Sequence, residues 1–131
     1  NISINPYQYT WMNSFAKFYD INKKFEIDYW GISNKSLSSQ ISIDFKSRGF
    51  KKKDCIYGGQ YADIFLYSHG FQCFKSYSEL DSAKSKPYYV IKNVRNVKRS
   101  NPKDCKLVKN ETFKYFLYKK SINAGSLWFC N

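Results

Sequence analysis

Catalysis in this chain would have to rest on few side chains. The single imidazole is His69, in Tyr67-Ser68-His69-Gly70, so any Ser-His-Asp or Cys-His nucleophile would have to use it. At the end of an apolar stretch, His69 more simply supplies a cation to the exposed carbonyls of a helix C-terminus. Ribonuclease-type acid–base work needs two histidines, or one with a glutamate, beside a phosphate-binding cation. His69 can be combined on paper with Glu79 or Glu111 and a lysine, but no spacing ties them together. Cys55, Cys73, Cys105 and Cys130 contain no C-x-x-C pair, and with one histidine they do not make a zinc site. No catalytic residue, metal or cofactor is therefore assigned.

Binding signals are weaker. Gly58-Gly59 stands between a predicted strand and a predicted helix, where phosphate-cradling loops occur, yet it lacks the spacing of either common fingerprint. Phe113-Lys114-Tyr115-Phe116-Leu117-Tyr118-Lys119-Lys120 interleaves rings with lysines. Such a run can stack bases or sugars, but a strand with one buried and one solvated face gives the same pattern. An anionic ligand would be met by Lys51, Lys52 and Lys53, and by Arg95, Lys98 and Arg99 in a basic loop.

The charge is uneven. The chain has 131 residues, the size of one domain, and a formal net charge of +12. Residues 1–45 hold four lysines and four acids, while residues 46–131 hold 18 basic and six acidic residues. The basic part would be drawn to anionic lipid head groups or other polyanions. Lysine supplies 19 of the 22 basic residues and arginine three; Asn and Ile number 11 each, a bias that A/T-rich codons also produce. Base and phosphate readers favour the planar fork of arginine, which counts against nucleic acid as partner and leaves a secreted basic nucleic-acid-binding or ribonuclease-like protein as the alternative reading.

At 43% apolar and 20% aromatic, the chain can build a core. No run approaches the roughly 18 apolar residues a membrane span needs. Residues 1–12 lack the order of a signal peptide, and a chain that starts at Asn1 reads as a mature or excised segment. An even cysteine count in a small basic chain points to two disulfides and an oxidising compartment. Three pairings exist. Cys55–Cys73 with Cys105–Cys130 is favoured, because Cys55 and Cys73 open two successive strands; four reduced, buried thiols are the alternative.

The elements that must position these residues follow from periodicity. Leu37, Ile41 and Phe45 recur every four residues, giving a helix that Ser33 can cap and Gly49 can stop. Asp54–Tyr57 reads as a strand, Gln60–Ser68 as a second helix stopped near Gly70, and Gln72–Tyr77 as a strand. Ser78–Lys86 is polar, with room for one helical turn before Pro87. Tyr88–Val94 is the strongest β signal, and three short strands follow at Cys105–Lys109, Phe113–Lys119 and Ser126–Cys130. Turns are expected at Asn110-Glu111 and Asn123-Ala124-Gly125. This predicts a small α+β domain with two main helices, in which a βαβ-like start continues into a mixed or antiparallel sheet.

The neutral N-terminal part carries two longer motifs. One is Asn5-Pro6-Tyr7-Gln8-Tyr9-Thr10-Trp11-Met12-Asn13; the other is Phe25-Glu26-Ile27-Asp28-Tyr29-Trp30-Gly31-Ile32-Ser33, which runs into the first helix. Pro6 sets an extended backbone and Tyr7, Tyr9 and Trp11 alternate onto one face. Trp30-Gly31 supplies a bulky anchor and a tight turn.

Together they resemble a region of the membrane glycosyltransferases that use polyprenyl-phosphate sugars, the protein mannosyltransferase and aminoarabinose transferase superfamily. There an H-P-Y-x-Y-x-x-(Y/F)-N stretch follows the last membrane helix, and D-Y-W-G-x-S leads into a helix of a small extracytoplasmic domain. The resemblance covers residues 1–45, with Asn5 in place of the frequent His and Met12 in place of Tyr or Phe.

It implies that residues 1–32 are an aromatic segment after a membrane helix, and that residues 33–131 are the core of a periplasmic or extracellular domain in a multi-pass protein. The catalytic acids of that family lie in its membrane-embedded half, so Asp28 is not a catalyst. Pro6, Tyr7, Tyr9, Asn13, Asp28, Tyr29, Trp30 and Gly31 would be mainly structural. The domain would assist acceptor or lipid-phosphate-sugar binding, with the membrane-embedded part of the same polypeptide and anionic lipid as partners.

Overall fold

The computed structural model describes residues 33–59, 61–82, 85–93, 100–114 and 121–131. The N-terminal motifs with Pro6, Tyr7, Tyr9, Asn13, Asp28, Tyr29, Trp30 and Gly31 lie outside the described residues, as do Arg95, Lys98 and Arg99. The elements are α1 (Ser33–Asp44), β1 (Cys55–Gly58), α2 (Ala62–Ser68), β2 (Cys73–Ser76), a 3-10 helix (Tyr77–Ser82), β3 (Tyr88–Asn93), β4 (Cys105–Lys114) and β5 (Ser121–Cys130). They form the expected α+β domain around one five-stranded sheet of order β2-β1-β3-β5-β4. β1 is parallel to β2 and β3, while β5 is antiparallel to β3 and β4. The βαβ start is β1-α2-β2, and β3 is where the sheet changes from parallel to antiparallel.

Both helices end in the same way. Phe50 N–H donates to the Phe45 carbonyl and Gly49 N–H to that of Lys46; Phe71 repeats the pattern on Leu66, and Gly70 on Tyr67. Gly49 (φ 69°) and Gly70 (φ 78°) occupy the left-handed position this closure needs, and Phe50 and Phe71 fold back into the core. The described part of α1 begins at Ser33, the expected cap, and the residues before it lie outside the described residues. α2 starts at Ala62 rather than Gln60, because Tyr61 enters it with a left-handed backbone, φ 67°.

The strand alternation sends Ile56, Tyr89, Ile91, Leu127 and Phe129 toward the helices, where Leu37, Ile41, Ala62 and Leu66 bury them. Tyr57, Val90 and Cys130 face the other way and are covered by Tyr77 and Leu80 of the 3-10 helix. Both favoured disulfides are present. Cys55 and Cys73 are register partners in the parallel pair β1/β2, with Cα atoms 4.5 Å apart. Cys105 and Cys130 are partners in β4/β5, at 4.2 Å. The two bonds fit an oxidising, extracytoplasmic environment.

The C-terminal strands differ from expectation. Two ten-residue strands replace three short ones, and the two predicted turns fall inside them. The ladder absorbs Asn110-Glu111 through register shifts between Leu107 and Lys109 and between Glu111 and Thr112. The Asn123-Ala124-Gly125 turn signal is a strand segment because Gly125 has no side chain to hold it off α1. A Cβ there would meet Ser33 Oγ at 3.1 Å and Leu37 Cδ1 at 3.2 Å. Asn123 Oδ1 accepts the Gly125 N–H at 2.9 Å, a local bond of the kind that favours Asn in turns, here made within the strand. Of the expected strand Phe113–Lys119, residues 113 and 114 belong to β4 and residues 115–119 lie outside the described residues. No helix among the described residues is long and apolar enough to cross a membrane.

Candidate functional site

Beyond β3, on the face turned away from the helices, two cross-strand rows build a cleft. Lys92, Ser126 and Asn110 lie opposite one another on β3, β5 and β4, and Val90, Trp128 and Leu107 form the next row. A cleft of about 420 Å³ opens over them, with Asn101 and Asn123 on its walls. The bulge after Leu107 makes this possible. It turns Val108 toward the helix-side core and Lys109 to Ser36 on α1, so that Asn110 returns to the cleft.

On the helix side, Lys109 Nζ donates to Ser36 Oγ at 2.8 Å, and Ser36 Oγ donates to Glu111 Oε2 at 2.7 Å. This relay pins the bulged strand to α1. Glu111, considered above as a partner of His69, is therefore structural.

Within the cleft, Lys92 is 9% exposed and its Nζ donates to Asn101 Oδ1 at 2.9 Å. Burial lowers the affinity of this amine for its proton. Trp128 is half-buried, its Nε1 held by Ser126 Oγ at 2.9 Å, and Leu107 is 46% exposed beside it. An aromatic ring with a fixed edge, carboxamides that donate and accept, and one desolvated ammonium suit a ligand rich in hydroxyls.

Sequence reasoning did not single out Lys92, Asn101, Ser126 or Trp128. One signal was present: Lys92 is the sole charge in the stretch Tyr88–Val94, which apart from Asn93 is aromatic and β-branched. Asn110 was hidden by its turn-like neighbour.

The singled-out residues that are described do not form one site. Lys51, Lys52 and Lys53 are exposed in the connection before β1. The Lys51 N–H caps Asp54 Oδ2 at 2.7 Å and Lys52 Nζ reaches the His69 carbonyl at 3.1 Å. They sit ahead of the parallel strands, whereas Asn93, the last described residue before Arg95, Lys98 and Arg99, is at the far end of β3. His69 closes α2, as a helix-end residue should, with Nε2 3.5 Å from Ser39 Oγ. That hydroxyl donates to the Lys35 carbonyl at 2.9 Å, so it is a helix contact rather than an activated nucleophile. All four cysteines are in disulfides, which removes them as metal ligands or nucleophiles. Gly58 serves packing: a Cβ there would lie 2.9 Å from the Phe74 ring. Comparison of this chain with protein-family models, with curated proteins and with solved structures gives no match.

Proposed function

We propose that this chain is the non-catalytic C-terminal extracytoplasmic domain of a membrane glycosyltransferase-like protein that uses polyprenyl-phosphate sugars. In this reading the Trp128 cleft holds the sugar of the acceptor or of the lipid-linked donor. The single observation that carries it is the composition of that cleft: one half-buried tryptophan, flanked by Lys92, Ser126 and four asparagines. Two further features support it. The motifs of residues 1–45 resemble the junction between membrane helix and soluble domain in that superfamily. The two disulfides fit the compartment. Nucleic acid fits less well, since the chain has three arginines in all.

The test is titration of the isotope-labelled, oxidised chain with short oligosaccharides, followed by amide shifts. Shifts should centre on Lys92, Ser126 and Trp128, and Trp128→Ala should weaken binding by about tenfold or more, the worth of one ring contact. Absence of any shift in the cleft across a panel of envelope glycans refutes the binding reading. For the parent protein, the coding sequence upstream of Asn1 should contain several apolar spans; a stop codon or a lone signal peptide there refutes the glycosyltransferase assignment.

A further inference from the structure

On the β1–β2 side of the same sheet face lies a separate concavity of about 370 Å³. Three lysines rim it, each from a different element: Lys53 from the connection before β1, Lys75 from the edge strand β2, and Lys86 from the segment ahead of β3. None of them forms an ion pair among the described residues; Lys86 Nζ donates to the Asn131 carbonyl at 3.1 Å. The one acid in the lining is Asp54, and one oxygen of its carboxylate already accepts the Lys51 N–H. Tyr57 lines the concavity as a neutral phenol, because burial and then the charge of Glu79 oppose its ionisation. The Ser85 hydroxyl adds a further donor.

Three like charges around one concavity repel. The Cys55–Cys73 bond ties their two strands together, and Lys53, two residues before Cys55, and Lys75, paired with Tyr57 two residues after Cys73, reach the concavity from opposite sides of it. We propose that this concavity is a phosphate-binding site, in which Lys53, Lys75 and Lys86 hold a phosphate ester with Tyr57 and Ser85 as neutral donors. Lysine serves here as a point-charge binder of phosphate, without the bidentate geometry of arginine.

The site shares no residue with the Trp128 cleft, so the inference adds a phosphate to the sugar reading without resting on it. A third concavity, of about 620 Å³, joins the two, sharing Lys86 with one and Asn101 with the other. The face is thus continuous from a phosphate end to a sugar end.

The oxidised full chain is titrated with inorganic pyrophosphate and with a hexose 1-phosphate at low salt, following backbone amides. Saturable shifts are expected at Lys53, Lys75 and Ser85. The double variant Lys75→Gln/Lys86→Gln should weaken pyrophosphate binding by about tenfold or more, the loss of two charge-assisted hydrogen bonds. Lys35→Gln/Lys106→Gln removes the same net charge from exposed positions elsewhere and should change it by less than about twofold. Equal weakening by both pairs means diffuse attraction and overturns the site, as does failure of pyrophosphate to saturate.

The thermal midpoint of Lys75→Gln alone should match or exceed that of the native chain, because repulsion is relieved and no bond is lost; a lower midpoint overturns the claim that Lys75 stands there without a structural need. Trp128→Ala should leave pyrophosphate binding unchanged, which separates failure of this site from failure of the sugar cleft. Co-sedimentation with phosphatidic acid vesicles, competed by pyrophosphate, places the phosphate on a lipid. Hexose phosphate binding without vesicle binding places it on a soluble ligand, and absence of both overturns the proposal.

Discussion

Replacing Cys55 and Cys73 together by serine should release β2 while leaving the rest of the fold in place. The bond closes a loop of 18 residues. Cross-linking a loop of that length removes about 3 kcal/mol of chain entropy from the unfolded state. A chain of this size has about 7–20 kcal/mol to lose, so the variant should still fold. The damage should be local. β2 has four residues, two of them exposed, and pairs only with β1 at the sheet edge. α2 is held independently by Ala62 and Leu66, and the following turn by Phe71, all buried in the helix-side core. In urea, with a slope near 1.5 kcal/mol per molar, the midpoint should fall by about 2 M. Amides of Phe74 to Ser76 should lose about a hundredfold of hydrogen-exchange protection while Leu66 keeps its own. A midpoint shift below about 0.5 M, or equal loss of protection in α2 and β2, would refute the reasoning. So would thiols that react with a chromogenic disulfide in the folded native chain, because the bond would then be absent.

Three further outcomes follow from buried groups. Tyr89→Phe removes a hydroxyl that donates to Asp44 Oδ1 at 3.1 Å and should cost about 1.5 kcal/mol, read as a lower urea midpoint. The Tyr89 phenol is held protonated well above its ordinary 10.0, first by burial and then by the charge of Asp44. The unfolded chain therefore loses this proton from about pH 10 upward while the folded chain keeps it. Stability from this group is complete below pH 10 and lost as pH rises past it, and Tyr89→Phe should flatten that decline in midpoints measured from pH 8 to 11. Gly58→Ala pushes a methyl to 2.9 Å from the Phe74 ring and 3.3 Å from the Ala62 Cβ, and should cost about 1–3 kcal/mol, lowering the thermal midpoint by several degrees.

The parts of the fold set by local chemistry were legible in the sequence. The Leu37, Ile41, Phe45 stripe, the glycines at 49 and 70, and Tyr88–Val94 each carry their signal within a few residues. The disulfide pairing was legible because its partners open strands that the βαβ rule makes neighbours. What misled was turn chemistry inside a long ladder. Asn110-Glu111 and Asn123-Ala124-Gly125 read as turns by composition, yet the bulged β4/β5 pairing and the approach of α1 to Gly125 make them strand. The cleft and the lysine-rimmed concavity were hidden for a related reason. Both are assembled from residues far apart in sequence, such as Lys53 with Lys75 and Lys86, or Asn101 with Trp128, and no local window contains them. Of the expected basic surface, Lys51–Lys53 lie before β1, while Arg95, Lys98 and Arg99 lie outside the described residues.

The place of the cleft follows from the sheet itself. Parallel strands are normally covered on both faces, and β1 and β3 are, by the helices on one side and by Tyr77 and Leu80 on the other. At β3 the pairing turns antiparallel, and an antiparallel sheet can leave one face open to water. The open part is where Trp128 and Leu107 stand, with Lys92 below them. Burying the charge of that lysine opposes folding. The unfolded chain binds its proton more tightly than the folded one, so below its ordinary 10.5 the amine opposes folding, and the cost is in place at neutral pH. Lys92→Met should therefore keep or raise the urea midpoint at pH 7 while weakening oligosaccharide binding in the cleft. A variant that loses stability instead would mean that the Lys92–Asn101 bond holds the 100–102 segment in place, and that Lys92 belongs to the architecture rather than to the ligand.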